Sequence, residues 1–412
     1  MAKKLISYDD QKPGLGLPDP IQGKLDKRFE GAFYSQLSAP TPLPAPQVKW
    51  LQTSQPGHGW TNPIGVGTIA DDPSVSVMGT QSLRLDGGTA RKTGLALDLT
   101  QNDLVILVKV GSLPSGSEMQ VIASDVTTLE RFASFSGLNS GPSPWQRDGD
   151  WVTLTIPRPV NEIGGAVDLS NIKVIQVKAT GDAQVWVQAV GLAPKTQGVV
   201  SISFDDGYTS VIQAARRSMS PRGIRGTSYT IASSVGSGPN FMTMEETREL
   251  HDIHGWDIQA HTIIYYSEGG DNTDLLAEMR DTRKWIAENG FGSGEHFAYA
   301  GGQSGVENVL ASRTLFRSAR TISEEPESIP PGMPHKLRAY SSIGGLGGRS
   351  VTNIKALIDR TVTQGGWLHL VFHRIVEGAS TRPEDCSFTD LDAILDHVVA
   401  SGLPVKTVSE VL

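Results

Sequence analysis

Four polar residues stand where an apolar pattern should simply end. The run GVVSISF (Gly198 to Phe204) stops at Asp205–Asp206–Gly207. WDIQA (Trp256 to Ala260) stops at His261–Thr262, and WLHLVF (Trp367 to Phe372) stops at His373. Neither periodicity nor propensity demands carboxylates or imidazoles at these points. Singly, each has a plain explanation: Asp-Asp-Gly is a common turn, and a lone histidine at a strand end is more often a hydrogen-bonded core residue than a ligand. Together, paired aspartates beside two histidines make a set able to hold a divalent metal and to supply general acid and base groups.

The elements that must position them alternate between strand and helix. TMEETRELHDIHG opens with a capping box, Thr243 with Glu246, and stops at Gly255. DNTDLLAEMRDTRKWIAENG is an amphipathic helix with Leu276, Met279 and Ile286 on its apolar side and Gly290 at its end. TNIKALIDRTVTQGG leads into WLHLVF, and FTDLDAILDHVVASG precedes PVKTV. Such alternation over residues 196–412 predicts a parallel sheet closed, or nearly closed, into a distorted (β/α) barrel, with its chemistry at the strand ends.

Ahead of it, residues 49–195 read as β-structure. SLRLD, LVILVKV, WVTLTI, IKVIQVKA and QVWVQAVGL are short, rich in Val, Ile, Leu and Trp, and separated by Gly, Asp, Ser and Pro. This pattern predicts a β-sandwich. Trp151 and Trp186 are expected in its core, while Trp145, in the loop GPSPWQRDG, is the candidate for stacking on a sugar. Residues 1–48 hold seven prolines, and Ala39 to Pro46 (APTPLPAP) has one at every second position. That stretch favours a stiff, extended arm, either a linker or a segment laid along a partner.

Composition narrows the function classes. With 36 basic and 44 acidic residues the net charge is −8, and no basic stripe marks a nucleic-acid partner. A single cysteine, Cys386, excludes a disulfide framework and a site of several thiolates. The N-terminal MAKKLISYDDQKPG lacks the apolar stretch of a signal peptide. No run approaches the ~20 apolar residues of a membrane helix, so no membrane insertion is expected.

SISFDDGY resembles the first motif of the polysaccharide deacetylases of carbohydrate esterase family 4, T/S-F-D-D-G. QAHT is similar to the start of their second motif, H-[ST]-x-x-H; VFH to their final histidine motif; SARTI, near Ser318, to one of their strands. The resemblance covers about half the chain. It implies a distorted barrel and a zinc or other divalent ion, with Asp206 and His261 as ligands. Asp205 would be the base that activates water, and His373 the acid that protonates the leaving group. The third-ligand position is held by Tyr265, and a phenol, with a pKa of ~10, is a poor ligand at neutral pH. The third motif, F-R-x-P-Y-G, reads FAYAGG, with Ala298 where the resemblance implies an arginine that steadies the base. No Asp-x-x-Trp motif is found, and Arg374 follows His373. These departures imply a degenerate site that binds zinc weakly; an active metal-dependent deacetylase is the alternative. Tyr299 joins Trp145 as a possible glycan contact.

The β-region is similar in pattern to the jelly-roll modules attached to glycan-active enzymes. The series of arm, sandwich and deacetylase-like barrel resembles minor tail or tail-tip proteins of bacteriophages. That resemblance implies a virion component assembled in the host cytoplasm. It would bind a host cell-wall or capsule polysaccharide, dock on other tail proteins through its arm, and form a homo-oligomer, a trimer by preference.

Overall fold

The computed structural model describes residues 40–45, 47–112, 114, 117–139, 151–156, 161–267, 269–324 and 326–412. Most of the proline-containing arm and Trp145 lie outside the described residues. Of the arm's described part, the Thr41 carbonyl accepts a hydrogen bond from Arg317 Nε (3.0 Å).

The β-rich part is built from two antiparallel sheets. One contains β1 (Lys49–Thr53), β2 (Thr68–Asp72), β3 (Ser82–Asp86), β5 (Asn102–Ser112), β8 (Trp151–Ile156) and β11 (Gln184–Pro194). The other contains β4 (Thr89–Lys92), β6 (Glu118–Ser124), β7 (Phe132–Asn139), β9 (Asn161–Ile163) and β10 (Val174–Ala179). Leu85, Val108, Leu154 and Val187 from the first sheet share one core with Ala90, Val121 and Val177 from the second. Trp186, in β11 between the core residues Val185 and Val187, is buried outside that shared core and donates its Nε1 hydrogen to Asp72 of β2 (2.8 Å), as burying an indole requires. Trp151 is half-buried.

The second part carries a six-stranded parallel sheet in the order β16–β15–β14–β13–β12–β17, formed by β12 (Val199–Asp206), β13 (Thr227–Ile231), β14 (Asp257–His261), β15 (His296–Ala298), β16 (Ser318–Arg320) and β17 (Trp367–Phe372). Along β12 the side chains divide with the two-residue period of a strand. Val200, Ile202 and Phe204 pack with the surrounding helices. Ser201 and Ser203 take the other face, where they bond Trp367 Nε1 (2.8 Å) and His369 Nε2 (2.9 Å) of β17. The helix beginning at Met244 has the expected capping box, and that at Thr273 buries Leu276, Met279 and Ile286.

This sheet is a half-barrel, and an irregular segment joins its two edges. Leu337 bonds Ala319 and Thr321 on the β16 side, and Tyr340 bonds His369 and Val371 of β17. Between them Arg338 is buried; it bonds Glu327 through Nε (2.8 Å) and, through Nη2, the carbonyl of Thr155 in β8 (3.0 Å). The β-rich part thus touches the segment that links the strands leading to Arg320 and His373.

Candidate active site

Asp205 and Asp206 end β12, His261 ends β14, and His373 follows β17, so parallel strand order brings all four to one rim of the sheet. The sequence separates them widely; the sheet does not.

Asp205 is buried, and Arg320 Nη2 bonds both of its oxygens, at 2.7 and 2.6 Å. Burial alone would raise its pKa. The Arg320 guanidinium, with His261 and His373 nearby, outweighs that and holds the carboxyl below the usual carboxylate range. Arg320 is itself fully buried and lies over the ring of Tyr229, 5.0 Å from its centroid. His373 Nε2 stands 3.7 Å from Asp205 Oδ2, and its Nδ1 has no hydrogen-bond partner.

Sequence reasoning missed Arg320. It recorded the loss of a guanidinium at Ala298, but Ala298 and Arg320 are cross-strand partners in β15 and β16. One strand over, at the same level of the sheet, an arginine reaches the buried aspartate. The available signal was a charged residue inside SARTI, a run otherwise fit for a strand interior.

Asp206 is one of three non-glycine residues with positive φ among those described, at 72°. Aspartate tolerates this left-handed conformation better than most residues. Its Oδ1 lies 3.4 Å from His261 Nε2. His261 Nδ1 donates to the carbonyl of Ala298 (2.8 Å), which fixes the ring and turns Nε2 toward Asp206. Burial alone would lower the His261 pKa; the bond to Asp206 and the charge of Asp205 outweigh burial, and it is raised.

The donor set bears on the metal that the deacetylase resemblance implies. Two ligands at about 2.1 Å on one tetrahedral ion lie about 3.4 Å apart, and Asp206 Oδ1 and His261 Nε2 have that separation. Among the described residues no group of three His, Cys, Asp or Glu converges. Tyr265 is 61% exposed, and its ring lies over Gly301. The residues therefore fit a divalent cation carried on two protein ligands, with its remaining positions open to water and substrate.

Tyr299, expected as a glycan contact, is a core residue. It is 1% exposed, and its hydroxyl bonds Ser312 Oγ (2.7 Å) and the His335 carbonyl (3.0 Å). Its ring turns inward against Phe297. Arg374, the departure after His373, pairs with buried Asp385 (2.6 Å).

The sequence profile of the polysaccharide deacetylase family matches residues 193–315. The putative polysaccharide deacetylase YxkH of Bacillus subtilis is 27% identical over 150 residues, 35% of this chain; the chain spans about half (53%) of that protein's length. Among solved structures, the Bc1960 peptidoglycan N-acetylglucosamine deacetylase aligns with 53% of this chain and 90% of its own, at 14% identity and a TM-score of 0.38. A family 4 acetyl xylan esterase from Clostridium thermocellum, solved with a cobalt ion, aligns with 52% of this chain and 89% of its own, at 14% identity and a TM-score of 0.37. The matched stretch includes Asp205, Asp206 and His261, while Arg320 and His373 follow it in the chain. Residues 193–315 carry a polysaccharide deacetylase-like domain.

Proposed function

We propose that the α/β part hydrolyses acetyl groups from a polysaccharide. The observation that carries this reading is the convergence of Asp206 and His261 at ligand spacing beside a buried, arginine-held aspartate and a facing histidine.

A divalent cation on Asp206 and His261 would polarise the acetyl carbonyl and make its bound water more acidic. The chain supplies the rest. Asp205 accepts the proton of the attacking water on a lone pair that Arg320 leaves open. That proton passes to His373, replacing the one His373 gives to the leaving group, so both residues return to their starting state. His373 Nε2, 3.7 Å away, is placed to deliver a proton to the departing nitrogen or oxygen. Arg320 fixes the carboxylate so that neither oxygen turns away from the rim. On this reading the site is short of one ligand but not dismantled.

Acetate release from N-acetylated chito-oligosaccharides and from acetylated xylan, with added zinc or cobalt, tests the proposal. Wild-type turnover that Asp205→Asn and His373→Ala each reduce at least a hundredfold supports it. Equal rates in wild type and both variants would sink it.

The setting is a further part of the proposal. The order of proline-containing arm, two-sheet β-module and deacetylase-like domain supports a virion tail protein acting on host-envelope polysaccharide. In that setting the arm would join it to other tail proteins, and the chain would act as a homo-oligomer. Electron microscopy of virions labelled with an antibody to this chain tests that part, and label absent from the tail would oppose it.

A further inference from the structure

Three exposed apolar side chains stand in the loops that follow β14, the strand of His261, and β16, the strand of Arg320. Tyr265 is 61% exposed, Ile263 60% and Ile322 39%. Two consecutive glycines in the loop leaving β15, Gly301 (φ 58°) and Gly302 (φ 70°), form the floor beneath two of them. A Cβ on Gly301 would stand 2.7 Å from Cε1 of Tyr265, and one on Gly302 would stand 2.4 Å from Cγ1 of Ile322. Any larger residue would lift the phenol ring or the isoleucine away. The ledge therefore joins side chains from the loops after β14 and β16 over a backbone kept bare between them.

The ledge is tied to the candidate site through the chain. Tyr265 lies four residues beyond His261, and Gly301 lies three beyond Ala298, whose carbonyl orients His261. An aromatic face with aliphatic neighbours, open to solvent beside a polar pair, suits a ligand with one apolar face and a polar edge. A pyranose ring has that shape: its C–H face can rest on Tyr265 while an acetyl substituent reaches toward Asp206 and His261.

We propose that Tyr265, supported by Gly301, with Ile322 over the adjacent Gly302, is a stacking platform for one pyranose unit of the polysaccharide. The class of ligand rests on the deacetylase reading above. The position that the resemblance assigns to a third metal ligand then serves to hold substrate.

The test is binding of penta-N-acetylchitopentaose and of acetylated xylopentaose to the full chain, by calorimetry without added metal. Acetate release and light scattering are measured separately. Tyr265→Ala should weaken binding about tenfold, one ring contact of ~1.4 kcal/mol. Tyr265→Phe should stay within about twofold of wild type, because stacking uses the ring face and not the hydroxyl. Ile253→Ala, at a still more exposed isoleucine (76%) after the helix that begins at Met244, should change nothing. Binding by wild type that Tyr265→Ala leaves intact overturns the platform, whatever the turnover. So does failure of wild type to bind either sugar, or self-association of wild type that Tyr265→Ala abolishes, which would make the ledge a contact between copies. Tyr265-dependent binding without acetate release supports the platform and counts only against catalysis.

Discussion

Replacing Arg320 with methionine removes the one guanidinium that bonds Asp205 while keeping a chain of similar length. Both side chains are buried, with 0% and 5% of their surface exposed, so solvent gives little compensation. Leaving a buried partner unpaired costs roughly 3–5 kcal/mol. The pH dependence gives the sharper signature. In the wild type the folded-state pKa of Asp205 lies below its ordinary value. The pair's contribution is therefore present above the unfolded pKa of ~3.9 and is lost as pH falls through the folded value. Burial is already the largest single influence on Asp205; without Arg320 only His261 and His373 oppose it, and the carboxyl is pushed upward. The sign then reverses: the Arg320→Met protein should lose stability as pH rises from about 5 to 8. Urea unfolding at both pH values, for wild type, Arg320→Met, Asp205→Asn and the double variant, measures this. The double variant should cost clearly less than the sum of the two single changes. A loss under about 1 kcal/mol for Arg320→Met, or additive single changes, would refute the reasoning.

Asp103 should give a second pH signature. Burial pushes its carboxyl up to about 7, partly offset by Lys195 and Arg338. Between ~3.9 and about 7 the folded chain holds more protons than the unfolded one, so this group's contribution falls as pH rises through that window. Asp103→Asn should flatten the slope and raise Tm at pH 8, read by scanning calorimetry. Arg338→Met removes the bonds to Glu327 and to the Thr155 carbonyl and should cost roughly 3 kcal/mol. It should also speed amide exchange at Ala339 and Tyr340, which hydrogen-exchange mass spectrometry would detect.

The residues that end strands were legible in the sequence because a strand interrupted by acids or imidazoles breaks its own pattern. Asp205, Asp206, His261 and His373 could be named that way, and parallel order then places them on one rim. Arg320 also ends a strand, and its charge in SARTI was a signal, but its role could not be read, because its partner is 115 residues distant and only the β15–β16 pairing sets it level with Ala298. Tyr299 was hidden in the same way: nothing local in FAYAGG shows that its hydroxyl finds Ser312 inside. The segment linking the half-barrel's edges was equally hidden. Leu337 to Tyr340 carries no strand periodicity and is held by isolated hydrogen bonds to its neighbours. Pro404 to Val408 makes a single bridge, Val200 to Val405, before Thr407 and Glu410 cap a last short helix.

The most direct test of the central claim is a calorimetric titration of the purified chain with zinc. One ion per chain should bind at micromolar strength, as two protein ligands allow. Asp206→Ala and His261→Ala should each abolish it, and Tyr265→Phe should leave it unchanged. Binding that survives both of the first two substitutions, or no binding by the wild type, would contradict the assignment of Asp206 and His261 as the cation's ligands.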